Sequence, residues 1–330
     1  MEKKKGAFRT SIGGQALIEG ILMRGPEKDA IVVRSPEGLV TKVTQRKFVK
    51  ANYPILGVPI LRGAVTFIGS MITGVKALMF SADYFPEDED AKPDKLEEWL
   101  NKHVPAEKLQ SLLVGFSVVL SIGLMLVLFM LLPTFLAGLF HATTPALHNL
   151  IEGVVKILVL LAYMILCSRQ KDVYRVFCYH GAEHKTIFCY ESGLPLTVEN
   201  VRIQRRFHPR CGTSFMILMI LISIIFSTVI QLIFPGVYNL AWVWVIVKIL
   251  LIPIVCGAGF EVLRVCGRYD NLLTRIISAP GLWLQRITTK EPEDDMIEVA
   301  IAAIKACEPA VPDVERPKEE ENNETDENAE

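Results

Sequence analysis

The chain has 330 residues, 51% of them hydrophobic and 22% charged, with a mean hydropathy of +0.35. That balance excludes an ordinary soluble domain of this length and points to membrane segments. The net charge of −1 conceals an asymmetry: ten acidic and two basic residues give 308–330 a charge of −8, which leaves +7 on the other 307. A basic body with an acidic tail fits a membrane protein whose inner face is rich in Lys and Arg. The basic residues gather on no single helix or stripe, so no nucleic-acid partner is expected. Seven cysteines without a C-x-x-C pair predict reduced thiols rather than a disulfide framework. Met1-Glu2-Lys3-Lys4-Lys5 is charged and no apolar core follows it, so no signal peptide is expected.

Residues 1–54 read as an N-terminal module. Its stretch Gly13-Gly14-Gln15-Ala16-Leu17-Ile18-Glu19-Gly20-Ile21-Leu22-Met23-Arg24-Gly25-Pro26 is dense in glycine and closed by proline, which predicts a tightly turned segment rather than a plain helix. It lacks the glycine spacing of nucleotide-binding loops. Glu19 and Arg24 within it are candidates for a structural ion pair, or for reaching a site built elsewhere. Two β-branched runs, 30–34 and 39–43, flank Pro36-Glu37-Gly38 and predict a β-hairpin. Residues 55–85 are largely apolar, but Arg62 and Lys76 bracket only 13 uncharged residues. That is too short to span, so an interfacial or re-entrant helix is expected there. Residues 86–110 follow as a charged linker.

Four spans are expected in 111–263. Leu112 to Leu132 and Thr213 to Phe234 run 21 and 22 residues without a charge. Each is enough to cross about 30 Å of hydrocarbon at roughly 1.5 Å per residue. Leu147 to Cys167 contains Glu152 and Lys156, and Leu240 to Leu263 contains Lys248 and Glu261. The short loops 133–146 and 235–239 carry no Lys or Arg, whereas the long loop 168–212 carries eight. By the positive-inside rule that loop and both termini are cytoplasmic. Lys156 and Lys248 either snorkel to the outer surface, Lys156 pairing with Glu152, or line a polar pathway. Residues 264–307 read as C-terminal cytoplasmic helices, with a short surface helix at Met296 to Cys307, and 308–330 as a disordered acidic tail.

The long loop gathers the reactive side chains. Asp172 to Glu191 holds no proline and ends at Ser192-Gly193, which predicts a helix. On it His180 and His184 lie one turn apart on one face, so two imidazoles can meet one ion, with Glu183 placed to act as general base. That is the H-x-x-E-H arrangement of the inverted zinc peptidases. His208 and Cys211 follow as an H-x-x-C pair. Three readings stand. His180, His184 and a carboxylate, Glu191 or Glu199, hold zinc with an open position and Glu183 takes a proton from water. Alternatively His180, His184, His208 and Cys211 close a structural four-ligand site. In the third there is no metal: the histidines hydrogen-bond locally and Cys211 is a small buried residue. Arg202, Arg205, Arg206 and Arg210 serve either as anchors on lipid phosphates or as a clamp on an anionic substrate.

The run Gly13 to Pro26, the run Tyr179-His180-Gly181-Ala182-Glu183-His184-Lys185-Thr186 and the run His208-Pro209-Arg210-Cys211-Gly212-Thr213-Ser214 together resemble the YqhQ family of bacterial membrane proteins. The resemblance covers nearly the whole chain except the acidic tail. It implies a bacterial membrane protein, and metal-dependent enzyme chemistry at His180, His184, His208 and Cys211.

The expectation is therefore an α-helical integral protein of the bacterial inner membrane. It has four transmembrane helices, a cytoplasmic helical loop bearing the His/Glu/Cys cluster and a small N-terminal β-hairpin module. The expected function is a metal-dependent, hydrolytic enzyme of the inner face, with zinc favoured over magnesium by His and Cys ligation. The rival is a non-catalytic accessory or stabilising factor for another membrane complex, such as the protein-translocation machinery, with the cluster as a structural clip. The lipid bilayer is the partner common to both.

Overall fold

Two β-branched runs separated by two residues pair as a hairpin, and a second hairpin precedes them. In the computed structural model, which describes residues 10–46, 57–85, 106–140, 143–238, 240–269 and 271–308, β1 (Gly13–Leu17), β2 (Gly20–Arg24), β3 (Lys28–Ser35) and β4 (Gly38–Gln45) form one antiparallel sheet in that order. The β3–β4 register closes at Ser35 opposite Gly38, around Pro36 and Glu37. The glycine-dense segment is itself a hairpin, closing at Leu17 opposite Gly20.

Among the described residues the helices are α1 (Leu61–Ala82) and α2 (Ala106–Leu126), which runs through a π-helical turn (Val127–Leu131) into α3 (Leu132–Gly138). Then come α4 (Pro145–Cys167), α5 (Lys171–Glu191), α6 (Val198–Arg202), α7 (Gly212–Ile233), α8 (Pro235–Tyr238), α9 (Ala241–Arg268), α10 (Leu272–Thr288) and α11 (Asp294–Cys307). The linker expected at 86–110 lies outside the described residues up to 105, as does the acidic tail beyond 308.

The chain divides into two units. One comprises 1–47, 172–208 and 289–330; the other comprises 48–171 and 209–288. In the first, alternate residues of β2 and β3 (Ile21, Met23, Ala30, Val32) share a core with Tyr179 and Ala182 of α5 and with Met296, Ala300 and Ile304 of α11. The strand period of two and the helix spacing of four put those side chains on single faces. Asp294 and Asp295 fill the first turn of α11, where the helix dipole favours acids. Arg34 of β3 bonds back to that end, at the Asp295 carbonyl and the Glu298 carboxylate. This unit is thus built from three separated stretches of chain around one core.

In the second unit α7 packs against α4, α9 and α10, and α1 packs along α9. Leu218 and Ile222 of α7 meet Leu251 and Val255 of α9. Five helices among the described residues are long and apolar enough to cross a membrane: Leu61–Ala82, Gly115–Gly138, Ala146–Cys167, Gly212–Ile233 and Trp242–Gly267. The fifth, beyond the four expected, is α1, a single unbroken helix of 22 residues that qualifies by length and composition. Arg62 does not interrupt it, because it sits in its first turn and pairs with Glu261 of α9.

Within the apolar stretches of α4 and α9 the charged residues Glu152, Lys156 and Lys248 pair with one another. Lys248 is half-buried, with its Nζ 2.6 Å from Glu152 Oε1 and 3.0 Å from Thr134 Oγ1. Lys156 makes the expected pair with Glu152 at 2.8 Å. One turn away, Asn149 Nδ2 donates to Gln231 Oε1 and Thr228 Oγ1. Snorkelling is a property of an isolated helix; here a carboxylate on the neighbouring helix offers Lys248 a nearer partner than water.

Candidate functional site

The site grows out of α5. Asp172 opens this helix, and Gly193 closes it in the left-handed region at φ 67°. Its buried face runs through Cys178, Tyr179 and then Gly181 to Ile187 without a break. A polar run of this kind is buried only where partners meet it, and the extended N-terminal segment supplies several. Thr10 N–H donates to Glu191, Gly14 N–H to Glu183, and Glu19 accepts from Arg175 and Tyr179. The pairing descends the helix in steps of eight residues, about 12 Å, while the strand advances four or five, about 13–17 Å. The N-terminal segment therefore runs antiparallel along α5.

Two glycines allow the close approach. A Cβ on Gly14 would lie 2.9 Å from Cδ and Cγ of Glu183. A Cβ on Gly181 would lie 2.0 Å from the Lys290 carbonyl oxygen, where the chain entering α11 crosses α5 and Lys290 N–H bonds to the Phe177 carbonyl.

Glu183 is 4% exposed, and its Oε2 has no hydrogen-bond partner among the described residues. Burial raises its carboxyl above the usual range, opposed by nearby His180 and by the Gly14 N–H. The rings of His180 and His184 lie 4.4 Å apart between centroids, and His208 lies 5.5 Å from His184. His184 Nδ1 is 2.5 Å from the Arg206 carbonyl oxygen. A carbonyl only accepts, so Nδ1 carries the proton and Nε2 keeps its lone pair, the tautomer a metal ligand needs. Phe188 packs on His208 at 4.7 Å and carries the Arg205 guanidinium over its other side.

His180 and His184, both in the first unit, belong to a group that could hold a metal ion, and it takes in neither His208, Glu191 nor Glu199; Cys211 lies in the second unit. Cys211 caps α7, where its sulfur accepts from Thr213 N–H. Glu191 is held by Thr10. Glu199 is exposed in the first turn of α6, its carboxyl lowered by its own backbone N–H and the Thr197 hydroxyl. Of the arginines, Arg202 pairs with Asp294 and Arg206 with Glu291, both within the first unit. Arg210 lies against Gly267.

The Glu19–Arg24 pair is not formed. Glu19 sits in the β1–β2 turn at φ 46°, and Arg24 stands at the far end of β2, about 17 Å along the strand. Arg24 pairs with Asp29 at 3.5 Å instead. Glu19 holds Arg175 through both carboxylate oxygens and takes the Tyr179 hydroxyl at 3.1 Å. Lys185, which sequence reasoning counted only as a topology signal, is buried and bonded to the Arg202 carbonyl and to Glu291.

A buried carboxylate with one oxygen open beside two histidines, on a helix that follows a long apolar one in the chain, defines a class: a chain of several apolar helices carrying a group that could hold a metal. The chain belongs to the family described as a protein of unknown function (DUF1385), whose pattern it matches over residues 58–310. It is similar to the uncharacterized protein YqhQ of Bacillus subtilis (strain 168), with 38% identity over 304 residues, covering 88% of this chain and 89% of that one. No solved structure matches it.

Proposed function

We propose that the chain is a multi-pass protein of the bacterial inner membrane whose cytoplasmic unit is a metal-dependent hydrolase. The buried Glu183 oxygen without a hydrogen-bond partner, next to His180 and His184, carries this reading. An unpaired buried acceptor costs about 1–3 kcal/mol, so an oxygen left open beside two imidazoles supports a role in chemistry.

The donor set fits a metal. His184 is held by a backbone carbonyl in the ligating tautomer, and His180 adds a second imidazole one turn away; nitrogen donors of this kind favour zinc over magnesium. Zinc would supply Lewis acidity for attack by water on an amide, ester or phosphate. Glu183 takes the proton from the attacking water; its raised carboxyl suits a base that must later return that proton. Gly14 N–H fixes the carboxylate by its other oxygen.

Topology supports the membrane reading. The first unit is one body made of three stretches, so the chain must cross a bilayer an even number of times between departures. Between 209 and 288, α7 and α9 provide two crossings. Between 48 and 171 three helices qualify, so one of them stays on the near side. The least apolar is Leu61–Ala82, which alone carries an exposed lysine, Lys76, and an arginine, Arg62. Four crossings result on this reading, and the arginines and lysines of 168–212 favour a cytoplasmic first unit.

Metal content of the detergent-purified protein tests the proposal. About one zinc per chain is expected, kept in Glu183→Gln and lost in His180→Ala/His184→Ala. Glu183→Gln should abolish function in cells while leaving fold and metal in place. The burial of His184 and His208 favours a second reading, a structural clip in an accessory factor of a membrane complex. That reading gains if Glu183→Gln is silent while His184→Ala destabilises the protein.

A further inference from the structure

The helix α10 has one face fully used and one face open. Its inner face is locked to α7: a Cβ on Gly281 would lie 2.3 Å from Ser214 Cβ, Gln285 Nε2 donates to Ser214 Oγ at 3.1 Å, and Leu284 is wholly buried beside Ile217. The start of α10 is fixed by Asn271, which accepts Thr274 N–H on its side chain. The opposite face presents Leu272, Ile276 and Trp283, which fall on one stripe at 3.6 residues per turn and are 76%, 60% and 51% exposed. Leu273 widens the stripe, and Arg275 and Arg286 lie along one edge of it.

From this we infer that α10 lies flat in the bilayer surface on the cytoplasmic side, its stripe among the upper acyl chains and its arginines at the lipid phosphates. The inference rests on the membrane reading above and is independent of the metal. Three observations choose lipid over a protein partner. Only three residues separate the helix from the end of α9, so it follows directly on a segment apolar enough to cross a membrane. Residues 262–290 carry five basic residues and one acidic, a charge of +4 that complements anionic headgroups. Both ends of the stretch 209–288 return to the first unit, and α7 and α9 already provide the even number of crossings. The segment between Arg275 and Arg286 is also too short to span, at roughly 16 Å of helix. An amphipathic helix with Trp and Leu on one face and Arg at its border is suited to this depth.

The chain has four tryptophans, Trp99, Trp242, Trp244 and Trp283, which makes the depth measurable. Two full-length proteins, one retaining only Trp283 and one only Trp242, are reconstituted into phosphatidylcholine and phosphatidylglycerol vesicles. The lipids carry bromine either high on the acyl chain or near its end. Trp283 fluorescence should be quenched about twofold more strongly by the shallow bromines than by the deep ones, as for a helix in the interface. Equal or stronger quenching by the deep bromines overturns the inference in favour of a buried path. No quenching of Trp283 while Trp242 is quenched also overturns it, and leaves the membrane reading standing. If neither is quenched, the membrane reading falls and the inference with it. Should the tryptophan replacements fail to fold, the unaltered protein is photolabelled with a lipid carrying a diazirine near the top of its chain. Adducts within 272–283 support the interfacial placement; their absence, with adducts on α9 present, refutes it.

Discussion

Glu19 is the most consequential residue outside the histidine cluster, and replacing it tests how the N-terminal segment holds α5. Its carboxylate takes two charge-assisted bonds from Arg175 and one from the Tyr179 hydroxyl. Arg175 keeps 42% exposure, so water screens the pair, and bonds reaching about 3 kcal/mol when buried are discounted to about 1–2. Tyr179 is wholly buried and would lose its acceptor, adding about 1 kcal/mol. Glu19→Ala should therefore weaken the clamp by about 2–3 kcal/mol. Glu19 also sits at φ 46°, a conformation glycine adopts without strain, so Glu19→Gly should be milder than Glu19→Ala by about 1 kcal/mol.

Amide hydrogen exchange by mass spectrometry reads this in the full-length protein. Peptides of α5 should exchange about 30- to 150-fold faster in Glu19→Ala, after correction for intrinsic rates. The pH dependence has a defined sign. Burial alone would raise the Glu19 carboxyl, but Arg175 and Tyr179 outweigh it and hold it below the ordinary 4.5. Its contribution is thus present above pH 4.5 and is lost as pH falls through the lower folded value. Glu19→Gln should remove that acid-side loss. The reasoning is refuted if Glu19→Ala leaves α5 exchange within about twofold of the unaltered protein, or if Glu19→Gly exchanges faster than Glu19→Ala.

Three other outcomes follow from the same geometry. Gly181→Ala would drive a methyl against the Lys290 carbonyl oxygen, a backbone atom that cannot swing aside. It should cost at least about 3 kcal/mol and expose both α5 and the start of α11 to proteolysis. Glu152→Ala leaves Lys156 and Lys248 without their shared carboxylate and should cost about 3–5 kcal/mol, seen as a lower melting temperature in detergent. Chelation should lower the melting temperature of the unaltered protein and leave that of His184→Ala unmoved, since only a folded state that binds metal is stabilised by it.

The local patterns were legible in the sequence, and the long-range partners were not. The 30–43 hairpin, the helix bearing H-x-x-E-H and its stop at Gly193 follow from periodicity and turn chemistry within a few residues. The Glu19–Arg175 pair joins residues 156 apart, and nothing local to Glu19 marks it. It depends on the Ile18-Glu19 turn, which reverses the chain and aims the side chain at α5. The same holds for Lys248, whose inward turn is set by Glu152 at a separation of 96 residues. One signal was present: Gly14 and Gly181 are glycines where neither a turn nor a helix stop requires one, and such positions mark a close backbone approach.

The count of crossings shows how the two kinds of information combine. Composition alone rates five helices as able to cross, and charge spacing alone removes Leu61–Ala82 because Arg62 and Lys76 bracket too few apolar residues. Neither is decisive, since Arg62 lies at a helix end where it pairs with Glu261. The assembly of β1–β4, α5 and α11 around one core adds a constraint that hydropathy cannot contain: residues 47 and 172 lie in the same body, and so do 208 and 289. Any odd number of crossings in either interval would pull that core apart, burying its strands on opposite sides of a bilayer. The even count in the proposed topology therefore rests on residues outside the apolar helices. A cysteine placed in the 83–85 turn should accordingly label from the same side as Lys42 of β4, and labelling from the opposite side would require a different helix to be the one that stays behind.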